Sequence, residues 1–227
     1  MKDDLTRRLR AVVDMAAGVD VVADIGCDHG LTAKALLTEK NVKKVIACDI
    51  SADSLQKTVD LARKEGLQTC LETRCGDGLA PLGEKEAQVI IIAGMGGMLI
   101  RDILSRALRT AHDARWLVLA PQGNEDVLRR FLYENNFVIA DEDMVCENDH
   151  YYQIIQVKNG IQPLPEEIEL LFGPKLLAKK EPVFRRYLAE RLKEYRVIME
   201  SARRGKNTGD YIEKLSLLCS RISEVLA

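Results

Sequence analysis

Between Val21 and Ala120 the chain repeats one pattern, a short apolar and β-branched run followed by a stretch of helical periodicity. The runs are Val21–Ile25, Lys44–Ile50, Thr69–Arg74, Gln88–Ala93 and Trp116–Ala120, and the stretches between and after them are Leu31–Thr38, Ala52–Glu65, Met98–Ala111 and Glu125–Asn135. Continuous apolar runs of this length read as strands buried on both faces, and crossovers long enough to hold a helix join parallel neighbours. The last two runs depart from it. Phe137–Cys146 and Tyr151–Val157 are separated only by Glu147 to His150, too short a link for a crossover, so these two runs form an antiparallel hairpin. A mostly parallel sheet with one reversed strand follows, unlike the all-parallel six-stranded sheet of a nicotinamide-binding domain.

Two helical regions flank this alternation. Leu5, Leu9, Val12, Val13 and Ala16 recur at helical spacing, with Gly18 placed as a C-cap. After Gly160, Pro163, Pro165, Pro174 and Pro182 punctuate a connector. Leu188, Leu192, Tyr195 and Met199 then repeat at coiled-coil spacing, as do Ile212, Leu215, Cys219, Ile222 and Leu226. Gly205 to Gly209 supplies a turn between them, so the two stretches are expected to fold back as a helical hairpin. A dimerising helix is the other use of such a seam; a monomer is favoured. The expected domains are 1–160 and 161–227.

Composition narrows the setting. No run approaches the roughly 18 apolar residues of a membrane span, and Met1 to Arg10 is charged without an apolar signal core, so a cytoplasmic protein without a membrane partner is expected. The cysteines, Cys27, Cys48, Cys70, Cys75, Cys146 and Cys219, include no C-x-x-C pair and mostly lie in apolar runs. They read as reduced packing residues, with neither a disulfide framework nor a metal site expected. The net charge of −2 hides an asymmetry: residues 159–227 carry 13 Lys and Arg against 10 Asp and Glu, leaving 20 against 25 in the first 158. Any polyanion-binding surface is therefore local, and a solvated charged face is the alternative.

Chemistry concentrates at the ends of the strands. Asp24-Ile25-Gly26-Cys27-Asp28-His29-Gly30 ends the first strand in a glycine turn that opens a helix, a cradle for a small ligand. It lacks the G-x-G-x-x-G of dinucleotide sites, and Asp24 suits a ligand ammonium better than a pyrophosphate. Asp49 ends the second strand nineteen residues past Gly30, where a carboxylate grips a ribose diol. Ser51 is the better N-cap, which leaves Asp49 for the sugar with Ile50 beside it. Gly76-Asp77-Gly78 follows the third strand, where Asp77 would accept from an adenine amino group, although an Asp-Gly turn is also a common structural device. Ala93-Gly94-Met95-Gly96-Gly97 ends the fourth strand, its glycines allowing another molecule to approach the backbone. Read together, these features give an α/β fold class: a class I methyltransferase Rossmann-like sheet with a terminal β-hairpin, plus a C-terminal α-helical, coiled-coil-like hairpin. The expected cofactor is S-adenosyl-L-methionine, held by Asp24, Gly26, Cys27, Gly30, Asp49, Ile50, Asp77, Gly78, Ala93, Gly94 and Met95.

The combination of D-I-G-C-D-H-G at 24–30, A-G-M-G-G at 93–97 and Leu132-Tyr133-Glu134-Asn135-Asn136-Phe137 resembles the bacterial tRNA (adenine 22-N1)-methyltransferases. The resemblance continues through Phe172-Gly173-Pro174 and Pro182-Val183-Phe184 into the helical hairpin. It departs at Leu31-Thr32-Ala33, where family members often carry an aromatic followed by Leu-Pro, and at Pro121-Gln122-Gly123-Asn124, usually a tighter turn. The resemblance implies methyl transfer to N1 of adenine 22 of tRNA. Asp28, His29 and Asn124 become candidates for substrate positioning, with the backbone carbonyls of Ala93 and Gly94 as further acceptors. Candidate RNA contacts are Arg7 and Arg8 at the start and Arg185, Arg186, Lys193, Arg196, Arg203, Arg204 and Lys206 in the helical hairpin. The alternatives are a methyltransferase acting on another RNA, a protein or a small molecule, and a non-catalytic module that kept the nucleoside pocket.

Overall fold

The apolar runs pair as their pattern predicts. The computed structural model describes residues 5–204 and 209–227, and of Arg204 the backbone alone. Seven strands, β1 (Val21–Ile25), β2 (Lys44–Asp49), β3 (Leu71–Cys75), β4 (Val89–Ala93), β5 (Trp116–Ala120), β6 (Phe137–Glu147) and β7 (His150–Asn159), form one sheet in the order β3-β2-β1-β4-β5-β7-β6. β1 pairs in parallel with both β2 and β4, while β7 runs antiparallel to both β5 and β6 and is the reversed strand. The hairpin is longer than the apolar pattern suggests. Its turn is Asn148-Asp149 alone, both at positive φ (49° and 59°), the pair of values that a type I′ turn requires.

Successive strand residues face opposite sides, so the sheet has two cores. Val22, Val45, Ala47, Ile91 and Val118 pack under α1 (Arg7–Met15), α2 (Leu31–Glu39) and α3 (Ala52–Glu65). Ala23, Ile46, Ile90, Ile92, Leu117 and Leu119 pack under α4 (Gly97–Arg106), α5 (Leu108–Asp113) and α6 (Glu125–Glu134). The stretch expected as one helix over 98–111 is two, because Ala107 (φ −140°, ψ 43°) leaves the helical region between α4 and α5. α1 is tied to the far hairpin: the Arg7 N–H donates to Glu147 Oε1 (3.0 Å) and Gln156 Nε2 to the Met15 carbonyl (2.7 Å).

Behind the sheet lies a polar knot. Arg129 on α6 and Glu142 on β6 are both fully buried, with Arg129 Nε 2.8 Å from Glu142 Oε1 and its Nη2 donating to Gln153 on β7. One guanidinium thus fastens three elements, each carbonyl or carboxylate partner compensating a charge that burial alone would expel.

Two compact units divide the chain, the first ending at Leu164 and the second running from Pro165 to Ala227. The proline-punctuated connector is partly helical, forming α7 (Glu167–Phe172) with a Glu166–Glu169 capping box and α8 (Pro174–Lys179) with proline in its first turn. The long helices α9 (Pro182–Arg204) and α10 (Gly209–Leu226) bury Leu188 and Leu192 from one and Leu215, Cys219 and Ile222 from the other. These five are among the seam positions that the spacing predicts; Tyr195, Met199, Ile212 and Leu226 are half-buried. The expected turn at 205–208, Lys206 included, lies outside the described residues. Of the cysteines, Cys27, Cys48 and Cys219 are buried packing residues, Cys70 and Cys146 are half-buried and Cys75 is exposed. Among the described residues no helix is long and apolar enough to cross a membrane.

Candidate functional site

β1 delivers Asp24 into the sheet, 4% exposed, with Oδ2 buried and without a hydrogen-bond partner among the described residues. Burial, and secondarily the charge of Asp49, raise its pKa to about 7. The turn that follows requires its glycines. Gly26 sits at φ +75° and donates to the Cys48 carbonyl (2.8 Å), and a Cβ there would overlap the Met95 methyl. Gly30 sits at φ +69°, where a Cβ would lie 2.9 Å from Thr58 Cγ2. Thr58, wholly buried on α3, holds the turn from behind, with Oγ1 3.2 Å from the Asp28 carbonyl oxygen and 3.6 Å from Cys27 Sγ. The Cys27 thiol is pushed up to about 12 by burial, so it packs as a neutral group.

The A-G-M-G-G run is explained by the backbone it meets. Gly94, at φ +79°, donates to the Ala120 carbonyl (3.2 Å); the Gln122 N–H donates to the Met95 carbonyl (2.9 Å) and the Gly97 N–H to Gly123 (2.9 Å). A Cβ on Gly97 would stand 2.5 Å from the Asn124 carbonyl oxygen and 2.7 Å from that of Gly123. The loops leaving β4 and β5 are therefore laced together, and they stay together only while residue 97 has no side chain.

These turns enclose a cavity of about 260 Å³ lined by Asp24, Gly26, Cys27, Asp28, His29, Gly30, Ala93 and Gly94, with Leu31 and Thr32 of α2, Arg8 and Leu9 of α1, and Gln122. It opens where the chain turns one way from β1 to β2 and the other way to β4, the switch point at which open α/β sheets bind ligands.

Several expected residues stand elsewhere. Asp49 is half-buried at the end of β2, its Oδ1 accepting from the Ser51 N–H (2.8 Å), while Ser51 caps α3 through its own hydroxyl. Ile50 beside it is 73% exposed. Asp77 is bound through both oxygens by Arg106 (3.0 and 3.2 Å), and Gly78 makes its turn at φ +56° against Ile103. Met95 does not line the cavity but packs its methyl beneath Gly26. Asp28 and His29 lie 3.5 Å apart at the mouth, and Asp28 also lies 3.4 Å from Lys57. Asn124 begins α6 at φ +56° with an exposed side chain, and it is Gln122, two residues earlier, that reaches the cavity.

The arginines also divide. Arg7 is exposed, whereas Arg8 turns inward, with Nη1 buried and without a hydrogen-bond partner among the described residues and its guanidinium 5.3 Å from the Tyr152 ring centroid. Arg185 donates to the carbonyl oxygens of Val225 and Leu226, closing the end of α10. Arg186, Arg196 and Arg203 are exposed on α9, and the Arg204 side chain lies outside the described residues. Sequence reasoning missed Gln122 and Thr58 as parts of the site, and no local pattern marks either.

The family model for a methyltransferase domain matches residues 5–155. This chain belongs to that methyltransferase family. It is 29% identical over 224 residues to the tRNA (adenine(22)-N(1))-methyltransferase of Bacillus subtilis, covering 96% of this chain and 94% of that one. The crystal structure of the B. subtilis m1A22 tRNA methyltransferase superposes with a TM-score of 0.84 at 28% identity, covering 99% of each chain. A Streptococcus pneumoniae protein crystallised in complex with S-adenosyl-L-methionine superposes at 0.86 and 28% identity, covering 98% of this chain and 100% of that one. The match extends through the helical unit as well as the methyltransferase domain.

Proposed function

We propose that this chain transfers a methyl group from S-adenosyl-L-methionine to N1 of adenine 22 of tRNA. The observation that carries the reading is Asp24 Oδ2, a buried acceptor without a partner among the described residues, in the wall of a cavity at the switch point of the sheet. The residues fit that cofactor. Asp24 offers an acceptor to an ammonium, the Gly26 and Gly30 turn admits a ligand against the backbone, and Asp49 at the end of β2 retains a second oxygen for a ribose hydroxyl. Asp77 would reach an adenine only while sharing its carboxylate with Arg106.

When bound, the cofactor supplies an electrophilic methyl on a sulfonium. Adenine N1 already carries a lone pair, so attack on that methyl needs no strong base, and the work left to the protein is orientation and the exclusion of water. Gln122, the carbonyls of Ala93 and Gly94, and the Asp28–His29 pair at the mouth are the groups placed to hold the base. Extracting the base from folded RNA costs roughly a few kcal/mol, which additional phosphate contacts offset. Arg186, Arg196 and Arg203 on α9 are the arginines proposed for those contacts.

The test is methyl transfer from labelled cofactor to unmodified bacterial tRNA, with nuclease digestion and mass mapping. Methylation at N1 of adenine 22, absent from a transcript with that base replaced, is the expected result. Transfer at another nucleotide, or to no tRNA, overturns it.

A further inference from the structure

Two unpartnered charged atoms face one cavity. Asp24 Oδ2 is one and Arg8 Nη1 is the other, each buried and each without a hydrogen-bond partner among the described residues. A buried guanidinium nitrogen with no acceptor is an expense that a fold removes unless something else supplies the acceptor. Arg8 is also held in place. Its guanidinium lies over the Tyr152 ring, and Nη1 stands 3.5 Å from the point where a side chain on Gly94 would begin. The Tyr152 ring gives the guanidinium a cation–π contact at 5.3 Å, and α1 itself is anchored through Arg7 and Met15 to the terminal hairpin. Asp24 and Arg8 do not pair with each other, although they line the same 260 Å³ cavity. A carboxylate and a guanidinium in one cavity, each with one buried atom unmatched among the described residues, complement a ligand that carries an ammonium and a carboxylate on one carbon.

We infer that Arg8 binds the α-carboxylate of the cofactor's amino-acid head while Asp24 takes its ammonium. This rests on the cofactor reading above and assigns α1 to cofactor binding, where its sequence had suggested an RNA contact. The glycine at 94 is then required twice, for its left-handed backbone and for leaving room for the Arg8 fork.

The experiment is calorimetric binding of two probes to the full chain: S-adenosylhomocysteine, and its decarboxylated analogue, which keeps the nucleoside, the thioether and the ammonium. Binding of both to the unsubstituted protein establishes the cofactor reading independently of Arg8; binding of neither overturns that reading and this inference together. Arg8→Met is expected to weaken S-adenosylhomocysteine about 10- to 100-fold, the range for one charged hydrogen-bonded contact, and to change the analogue less than threefold. Arg8→Lys, which keeps the charge and loses the fork, should fall between, with melting temperatures showing that both variants fold. Equal weakening of both probes would mean that Arg8 shapes the pocket as a whole. Unchanged S-adenosylhomocysteine binding with weakened tRNA binding would mean that it meets RNA phosphate. Either result overturns the inference.

Discussion

Replacing Asp24 by Asn should make the ligand-free protein more stable at alkaline pH while removing most of its affinity for cofactor. Burial, with help from Asp49, raises the Asp24 pKa to about 7 from an ordinary 3.8. A group whose folded pKa is raised keeps its proton longer in the native state, so the associated stability is complete below about pH 4. It is lost as the pH rises through 7. The span between the two values corresponds to about 4 kcal/mol, the cost of holding a desolvated carboxylate beside the charge of Asp49. Asn carries no charge and escapes that cost, but its amide leaves a buried polar group unmet, worth about 1–3 kcal/mol in the other direction. The net is a gain of about 1–3 kcal/mol above pH 8. In a chain of this size that raises Tm by about 2–4 °C per kcal/mol. Thermal melts of both proteins without ligand in steps from pH 4 to pH 8.5, paired with titrations of S-adenosylhomocysteine, check every part. The Asn variant should lose the decline between pH 4 and 7 that the parent shows, and bind the ligand at least tenfold more weakly. A variant that melts below the parent at pH 8.5, or one that binds normally, would refute the assignment of Asp24 as a desolvated ligand acceptor.

Other expectations follow from contacts already described. Gly97→Ala brings a Cβ to 2.5 Å from a backbone oxygen that no side-chain rotation relieves, and should cost about 1–3 kcal/mol in urea unfolding while lowering methyl transfer. Arg129→Ala removes the guanidinium opposite the buried Glu142 and should cost about 3–5 kcal/mol, whereas a joint apolar replacement of Arg129, Glu142 and Gln153 should recover much of that loss. Arg196→Ala with Arg203→Ala should weaken tRNA binding and flatten its dependence on salt while leaving S-adenosylhomocysteine affinity unchanged, measured by filter binding over a salt series.

Much of the scaffold can be read from residues alone because β1, β2, β4 and β5 are runs that a doubly covered sheet explains, and because β2 ends in a residue with an evident duty. Ser51 caps α3 as its position suggests, and Asp49 is thereby left at the end of β2. What was hidden depended on distant neighbours. The break at Ala107 has no glycine or proline to announce it; the chain simply leaves helical geometry between two apolar faces. Asp77 looks like a free acid until Arg106, a helix away, binds both its oxygens. Arg8 is one of three arginines in a basic cluster, and its inward turn depends on Tyr152, which lies in another element. Charge and spacing report what a side chain is, while burial decides which way it points.

The anchoring of α1 bears on the order in which the molecule takes shape. α1 precedes β1 in the chain, yet its backbone partners, Glu147 and Gln156, lie 140 and 141 residues from Arg7 and Met15. On a ribosome this helix waits through the synthesis of nearly the whole sheet before its docking surface exists, and closing so long a loop is a late, entropically expensive event. Because Arg8 travels with it, the pocket acquires its basic wall only when the terminal hairpin has formed. A nascent chain lacking β6 and β7 would carry the glycine turn and Asp24 without the arginine that lines the same cavity, so full affinity for the ligand waits until β7 has formed.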